Sequence, residues 1–266
     1  MKELNFIKMN GAGNDFVIFD AREIEIKLDK QQITKICDRK NIGCDQLIII
    51  ELGGDDSDAV MKIYNSDGSI SGACGNATRC VASLIDKKEV KIKTAAGILQ
   101  CERNGDLISV NMGKPKFDWQ EIPLSEDINP QKILLEGFEF SCLNIGNPHA
   151  VAFIKEPLSD EVFFNIGPKI ENNPIFSQKI NVEFAQIISD DLINVRVWER
   201  GAGETMACGS GACAVGILAI KNSLIKNNEV TTRFKGGDLL IEWDKGNSSV
   251  IMTGGYKKEF EGKVKI

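Results

Sequence analysis

Residues 73–84 read ACGNATRCVASL, and residues 207–218 read ACGSGACAVGIL. Aligning Ala73-Cys74-Gly75-Asn76 with Ala207-Cys208-Gly209-Ser210 also pairs Val81 with Val215 and Leu84 with Leu218, and the offset from Cys74 to Cys208 is 134 residues. A second pair of segments keeps nearly the same spacing. Gly13-Asn14 precedes the apolar run 16–19, and Gly146-Asn147 precedes 150–153, an offset of 133 residues. Both offsets are close to half of the 266-residue chain. The sequence therefore reads as a duplication in which each half builds one lobe around its own copy of the cysteine motif.

The local patterns agree with that division. In the first half, β-rich runs bounded by Gly, Asn and Asp predict strands at 15–19, 46–51, 59–64, 90–94, 98–101 and 107–111, with helices at 30–39 and 75–87. The second half predicts strands at 149–154, 182–189, 192–198, 229–234, 239–243 and 249–253, with helices at 160–171 and 209–225. Strands outnumber helices and do not alternate with them, so the expected class is α+β, with two pseudo-symmetric lobes of mixed sheet and the active site in the cleft between them. The expected lobes are 1–122, which the C-terminal end of the chain can join, and 137–266. Residues 123–136, with Pro123 and Pro130 and no clear period, read as the linker.

Each repeated cysteine falls where a strand ends and a helix begins. The first N–H groups of a helix have no intrahelical partner and carry the positive end of its dipole, so the position is expected to favour a thiolate and bring its pKa toward neutrality. Gly75 and Gly209 leave the same N–H groups open to a substrate carboxylate. One such motif fits a nucleophile, a redox thiol or an anion site equally well. Two of them, related by an approximate twofold axis, place a thiol on each face of a bound molecule, which is what inverting a carbon by proton transfer requires. Behind Cys208, the small and apolar positions Ala212, Val215, Gly216, Ala219 and Ile220 predict a helix packed tightly at the centre of its lobe.

Composition removes other classes. A net charge of −6 with interspersed Lys and Arg argues against a nucleic-acid partner, and the longest apolar run, 213–220, is too short to span a membrane. The N-terminal MKELNFIKMNGAGN mixes charge with apolar residues, so a cytoplasmic protein with reduced thiols is expected. The spacings C-x5-C and C-x4-C with a single histidine, His149, do not suit structural zinc. Gly11-Ala12-Gly13-Asn14 and Gly201-Ala202-Gly203-Glu204-Thr205 lack the further residues of dinucleotide and phosphate loops. Cys37, Cys44, Cys80, Cys101, Cys142 and Cys213 read as core residues.

Asn65-Ser66-Asp67-Gly68 with the first cysteine motif, Glu199-Arg200-Gly201-Ala202-Gly203-Glu204-Thr205 with the second, Gly11-Ala12-Gly13-Asn14-Asp15-Phe16 and Gly146-Asn147-Pro148-His149 together resemble the diaminopimelate epimerase family over nearly the whole chain. The resemblance implies two lobes, each a curled sheet around a central helix. It implies conversion of LL-diaminopimelate to the meso form without pyridoxal phosphate or a metal, in the supply of lysine and peptidoglycan precursors. Cys74 and Cys208 would be the acid/base pair. Gly75-Asn76 and Gly209-Ser210 would hold the carboxylate at the reacting carbon, and Glu199 its ammonium group. Asn14, Gln46, Asn65, Asn147, Asn181 and Arg200 would hold the far end of the substrate, and His149 would line the site. The partner implied is a small amino acid, and a homodimer is compatible. The sequence departs from the family at Ser66, where Ala is frequent, and at Val182-Glu183, where a small pair is common. A proline or hydroxyproline racemase and a thiol-rich metal or redox module are the rival readings.

Overall fold

The computed structural model describes residues 3–244 and 249–266. It is a sheet-dominated α+β protein that divides into two compact units, Met1–Val110 with Thr253–Ile266, and Asn111–Met252. The boundary lies earlier than the sequence reading placed it, and the chain's end returns to the first unit. Residues 123–136 are not a free linker: Leu124 and Ile133 are buried in the core of the second unit beside Phe140, Phe163 and Ile170. The predicted break rested on two prolines, but the flanking apolar residues have an interior to enter.

The first unit comprises β1 (Glu3–Gly11), β2 (Asn14–Asp20), α1 (Lys30–Cys37), β3 (Gln46–Leu52), β4 (Ala59–Asn65), β5 (Ile70–Ser71), α2 (Gly75–Ser83), β6 (Glu89–Thr94), β7 (Gly97–Asn104) and β8 (Leu107–Asn111), which ends at the boundary. The strand of residues Lys257–Lys265, β18 in chain order, pairs antiparallel with β1. From there the order is β18-β1-β2-β3-β4-β6-β7, with β2–β3 and β4–β6 parallel and the other neighbours antiparallel. Helix α1 starts at a reciprocal cap in which Asp29 and Gln32 each bond the other's backbone N–H. It buries Ile33 and Ile36 against Val17, Phe19, Leu47 and Ile49.

The second unit comprises β9 (Ile133–Leu135), β10 (Phe138–Asn144), β11 (Pro148–Phe153), α3 (Asp160–Glu171), β12 (Asn181–Ser189), β13 (Leu192–Glu199), β14 (Gly203–Glu204), α4 (Gly209–Lys221), β15 (Glu229–Phe234) and β16 (Gly237–Glu242). The short β17 (Ile251–Gly255) follows, and begins before the boundary. The strand order β9-β10-β11-β12-β13-β15-β16 has β11–β12 and β13–β15 parallel and the rest antiparallel. Each unit thus has the same sequence of pairings and carries its cysteine motif on the corresponding helix, α2 or α4. The internal repeat extends to topology.

Helix α4 is buried from Gly211 to Ile220 and touches β10, β11, β12, β13, β15 and β16. Such enclosure demands small residues. A methyl group added at Gly216 would lie 2.7 Å from Ile241 Cγ2 and 2.9 Å from its Cβ. Replacing a helix-interior glycine by alanine gains about 1 kcal/mol in propensity, whereas overpacking a core costs about 1–3 kcal/mol. Gly216→Ala should therefore lower the urea midpoint of unfolding, against the propensity trend; an unchanged or raised midpoint would show that β16 yields freely.

Candidate active site

Cys74 and Cys208 are both N-cap residues with extended backbone, at φ −150°, ψ 109° and φ −121°, ψ 117°. In each, the cap carbonyl accepts the first helical bond, from Thr78 N at 2.9 Å and Ala212 N at 2.8 Å. The two motifs therefore have equivalent local geometry. Of the eight cysteines, Cys74 is the one that is not buried. The six thiols read as core are enclosed, and burial pushes Cys80 up to about 12.

In the first unit the Cys74 thiol donates to Asn14 Oδ1 at 3.7 Å. Asn14 is oriented by Asp45, whose Oδ2 accepts from Asn14 Nδ2 at 2.8 Å. Arg39 links Asp45 to Asp15, reaching Asp45 Oδ1 at 2.5 Å and the two Asp15 oxygens at 2.6 and 2.9 Å. Lys8 also bonds Asp15. Burial raises the Asp15 pKa, but the hydrogen bonds from Arg39 and Lys8 outweigh it and hold the carboxyl well below its usual range. Gln46 stands opposite Asn65 in the β3–β4 register and donates to its Oδ1 at 3.0 Å. The buried Gln46 Oε1 has no hydrogen-bond partner among the described residues. Gly75 and Asn76 are buried in the first turn of α2. This unit thus brings Cys74 and Asn14 into contact and pairs Gln46 with Asn65.

In the second unit Cys208 Sγ accepts from Gly211 N–H at 3.4 Å and lies 3.5 Å from Ser210 Oγ. Nearby, Glu199 Oε1 accepts from Thr205 Oγ1. The expectation of a pKa brought toward neutrality at this helix start is overturned at Cys208. Burial, then the charges of Glu199 and Glu183, push the Cys208 pKa well above its ordinary value, and the helix-start donor does not compensate. The Glu199 carboxyl is raised too, first by desolvation, with Thr205 and Cys208 opposing. Both Cys208 and Glu199 are thus shifted toward their protonated forms.

His149 and Asn147 are in contact, Nε2 to Oδ1, at 3.0 Å, and His149 Nδ1 is 2.7 Å from Glu183 Oε1. Both ends of the Asn181 amide are taken by backbone: Nδ2 donates to Pro148 O at 2.9 Å and Oδ1 accepts from Arg200 N–H at 2.9 Å. Arg200 itself is exposed and donates to Gln178 O at 3.0 Å. Gly209 is buried in the first turn of α4. Asp45, Glu183 and Thr205 were missed as site residues. Glu183 was visible only as an unusual residue after Asn181, and nothing in the spacing marked Asp45 or Thr205. Among the described residues no group of His, Cys, Asp or Glu could hold a metal ion, and no helix is long and apolar enough to cross a membrane.

The architecture is that of a hydroxyproline epimerase from Agrobacterium vitis (TM-score 0.66, 14% identity, covering 98% of this chain and 92% of that one) and of a PhzF-family phenazine biosynthesis protein from Bacillus anthracis (TM-score 0.68, 16% identity, all of both chains). At those identities the likeness defines the fold class alone. The sequence is more specific: the family model for diaminopimelate epimerase matches residues 6–118 and 141–259. Diaminopimelate epimerases from Pelagibacter ubique and Sphingopyxis alaskensis are 45% and 41% identical to this chain, covering 92% and 97% of it and 93% and 96% of their own lengths. The chain belongs to the diaminopimelate epimerase family.

The raised Glu199 pKa has a consequence for stability. An ionised Glu199 is disfavoured in the fold, so its cost is present at neutral pH and disappears as pH falls through the folded pKa to below the ordinary 4.5. Glu199→Gln should melt at a higher temperature than the wild-type protein at pH 7, with the gap closing near pH 4. A gap that is absent at pH 7, or constant with pH, would contradict this electrostatic assignment.

Proposed function

We propose that the chain interconverts LL- and meso-diaminopimelate by two-base proton transfer between Cys74 and Cys208, without pyridoxal phosphate, in the supply of lysine and peptidoglycan precursors. The observation that carries the reading is the repeated cap: two cysteines, one per unit, at equivalent helix starts in units of equal topology. The reaction takes place at one carbon, so the two units have to act as pseudo-symmetric lobes that present one thiol to each of its faces. One sulfur, as thiolate, removes the α-hydrogen as a proton, and the carbanion takes a proton from the other thiol. The thiol and thiolate have then exchanged places. First-turn N–H groups at Gly75-Asn76 and Gly209-Ser210 bind the carboxylate whose charge grows as the proton leaves.

Glu199 receives the ammonium group at the reacting carbon. Asn14, Gln46, Asn65, Asn147 and Arg200 supply amide and guanidinium groups for the second amino-acid end, and Asn181 contributes by holding the Arg200 backbone. His149 lines the site through Asn147. The cytoplasm is the proposed compartment, because free thiols persist there. The family match, together with this set for a second charged end, favours diaminopimelate over proline or hydroxyproline.

Incubation with LL-diaminopimelate in deuterated water should give meso product carrying solvent deuterium at the α-carbon. Cys74→Ala and Cys208→Ala should each lose at least about a thousandfold in kcat/KM while keeping the wild-type melting profile. Meso product free of deuterium, or normal turnover in either variant, would sink the two-thiol mechanism.

A further inference from the structure

Glu183 is a fully buried carboxylate packed against the second cysteine motif, and the proposed reaction gives it no task. On β12 its position alternates with Val182 and Phe184, which enter the core beneath α3, so Glu183 and Asn181 share the opposite face of the strand. The parallel register sets His149 beside Asn181 and Val151 beside Glu183, which puts the Glu183 carboxyl on the diagonal from the imidazole. Both side chains are 0% exposed, and Nδ1 lies 2.7 Å from Oε1. The carboxyl also packs under the first turn of α4: a methyl group at Gly211 would sit 2.6 Å from Glu183 Oε1 and 3.2 Å from Cys208 Cβ. Glu183 Oε2 has no hydrogen-bond partner among the described residues. A half-satisfied buried carboxyl is expensive, and an apolar residue would fill the space without that cost.

We infer that Glu183 is a positioning residue of the epimerisation site, fixing the His149 ring through Nδ1 so that Nε2 is held against Asn147. A carboxylate only accepts, so it keeps a proton on Nδ1 and sets the plane of the ring. The opposite nitrogen of a neutral ring then accepts, and the Asn147 amide 3.0 Å away meets it with its N–H, an exchange of the amide's O and N ends that leaves the ring contact in place and turns the amide oxygen toward the substrate. The line Glu183–His149–Asn147 runs from the floor of the second unit to the side chain assigned to the far end of diaminopimelate. The role rests on the epimerase reading, but the hydrogen bond can be tested without substrate.

The chain has a single histidine, so protein labelled with 15N-histidine reports His149 alone. In the wild-type protein the Nδ1–H proton should appear as a slowly exchanging, downfield resonance, and it should be lost or moved strongly upfield in Glu183→Gln. The same variant should raise KM for LL-diaminopimelate about tenfold with kcat changed much less, as expected when the partner that orients a histidine is removed. If Glu183→Gln does not fold, Glu183→Asp, which withdraws the carboxylate by one methylene, should show the same losses. An unchanged Nδ1–H signal overturns the inference, and so does a lost signal with unchanged kcat and KM. Failure of the epimerase reading shows separately, as no turnover by the wild-type protein.

Discussion

A helix enclosed by its own sheet has to meet two demands at once: its backbone must come close to the strands, and its first N–H groups must find partners away from bulk water. In α4 the first demand explains Gly211, Gly216 and the alanines. At Gly211 and Gly216 an added methyl would meet a neighbouring side chain within 3 Å. The second places a polar, acceptor-bearing residue at the cap, and Cys208 fills it by accepting from Gly211 N–H. Helix α2 shares the close approach but not the cap bond, since the Cys74 side chain accepts from none of its first-turn N–H groups. Its approach to β1 is so close that a methyl at Gly11 would lie 2.9 Å from Asn76 O. The chemistry therefore grows out of packing, since the residue that caps a buried helix is also the one placed where a substrate carboxylate can meet the remaining N–H groups.

The repeated topology gives the argument its second half. Equal pairings in the two units mean that a change arising in one copy has a structural counterpart in the other, and the differences between copies then carry information. Cys74 donates to a neutral amide, whereas Cys208 is buried and feels the charges of Glu199 and Glu183. The two thiols share a backbone frame and differ in electrostatics. Such asymmetry suits a substrate carbon whose two faces are not equivalent, with one end bearing the ammonium group that Glu199 attracts.

Much of this was legible in the sequence, for identifiable reasons. The helices at 75 and 209 were readable because their small residues recur at helical spacing and follow a repeated motif. The strands beginning at Asn14, Gln46, Asn181 and Leu192 were readable from β-branched and aromatic runs. Strand β18 was not: KKEFEGKVK has the composition of a solvated tail, and it is a strand because it is paired along β1, with Gly262 against the Phe6 ring. The boundary between units was misplaced for a related reason, since β9 and the segment before it owe their place to long-range contacts with α3 that no local period announces. At the site, spacing gave the two cysteines and the family resemblance gave Asn14, Asn147, His149 and Glu199, but the carboxylates that orient Asn14 and His149 were missed. Asp45 and Glu183 act on neighbours brought close by strand register, so their partners are distant in sequence.

The overturned expectation for Cys208 sharpens the proposed mechanism. A permanently ionised thiol in a closed pocket would be open to oxidation and would repel the substrate carboxylate. Here burial, and then the charges of Glu199 and Glu183, disfavour the Cys208 thiolate. In the proposed reaction a substrate ammonium placed against Glu199 offsets that carboxylate's charge. Burial and the Glu183 charge still raise the Cys208 pKa, but the Glu199 contribution is lifted, and the Gly211 N–H that reaches the sulfur favours the thiolate. The substrate therefore supplies a cation that moves its own base toward ionisation, next to the carbon to be deprotonated.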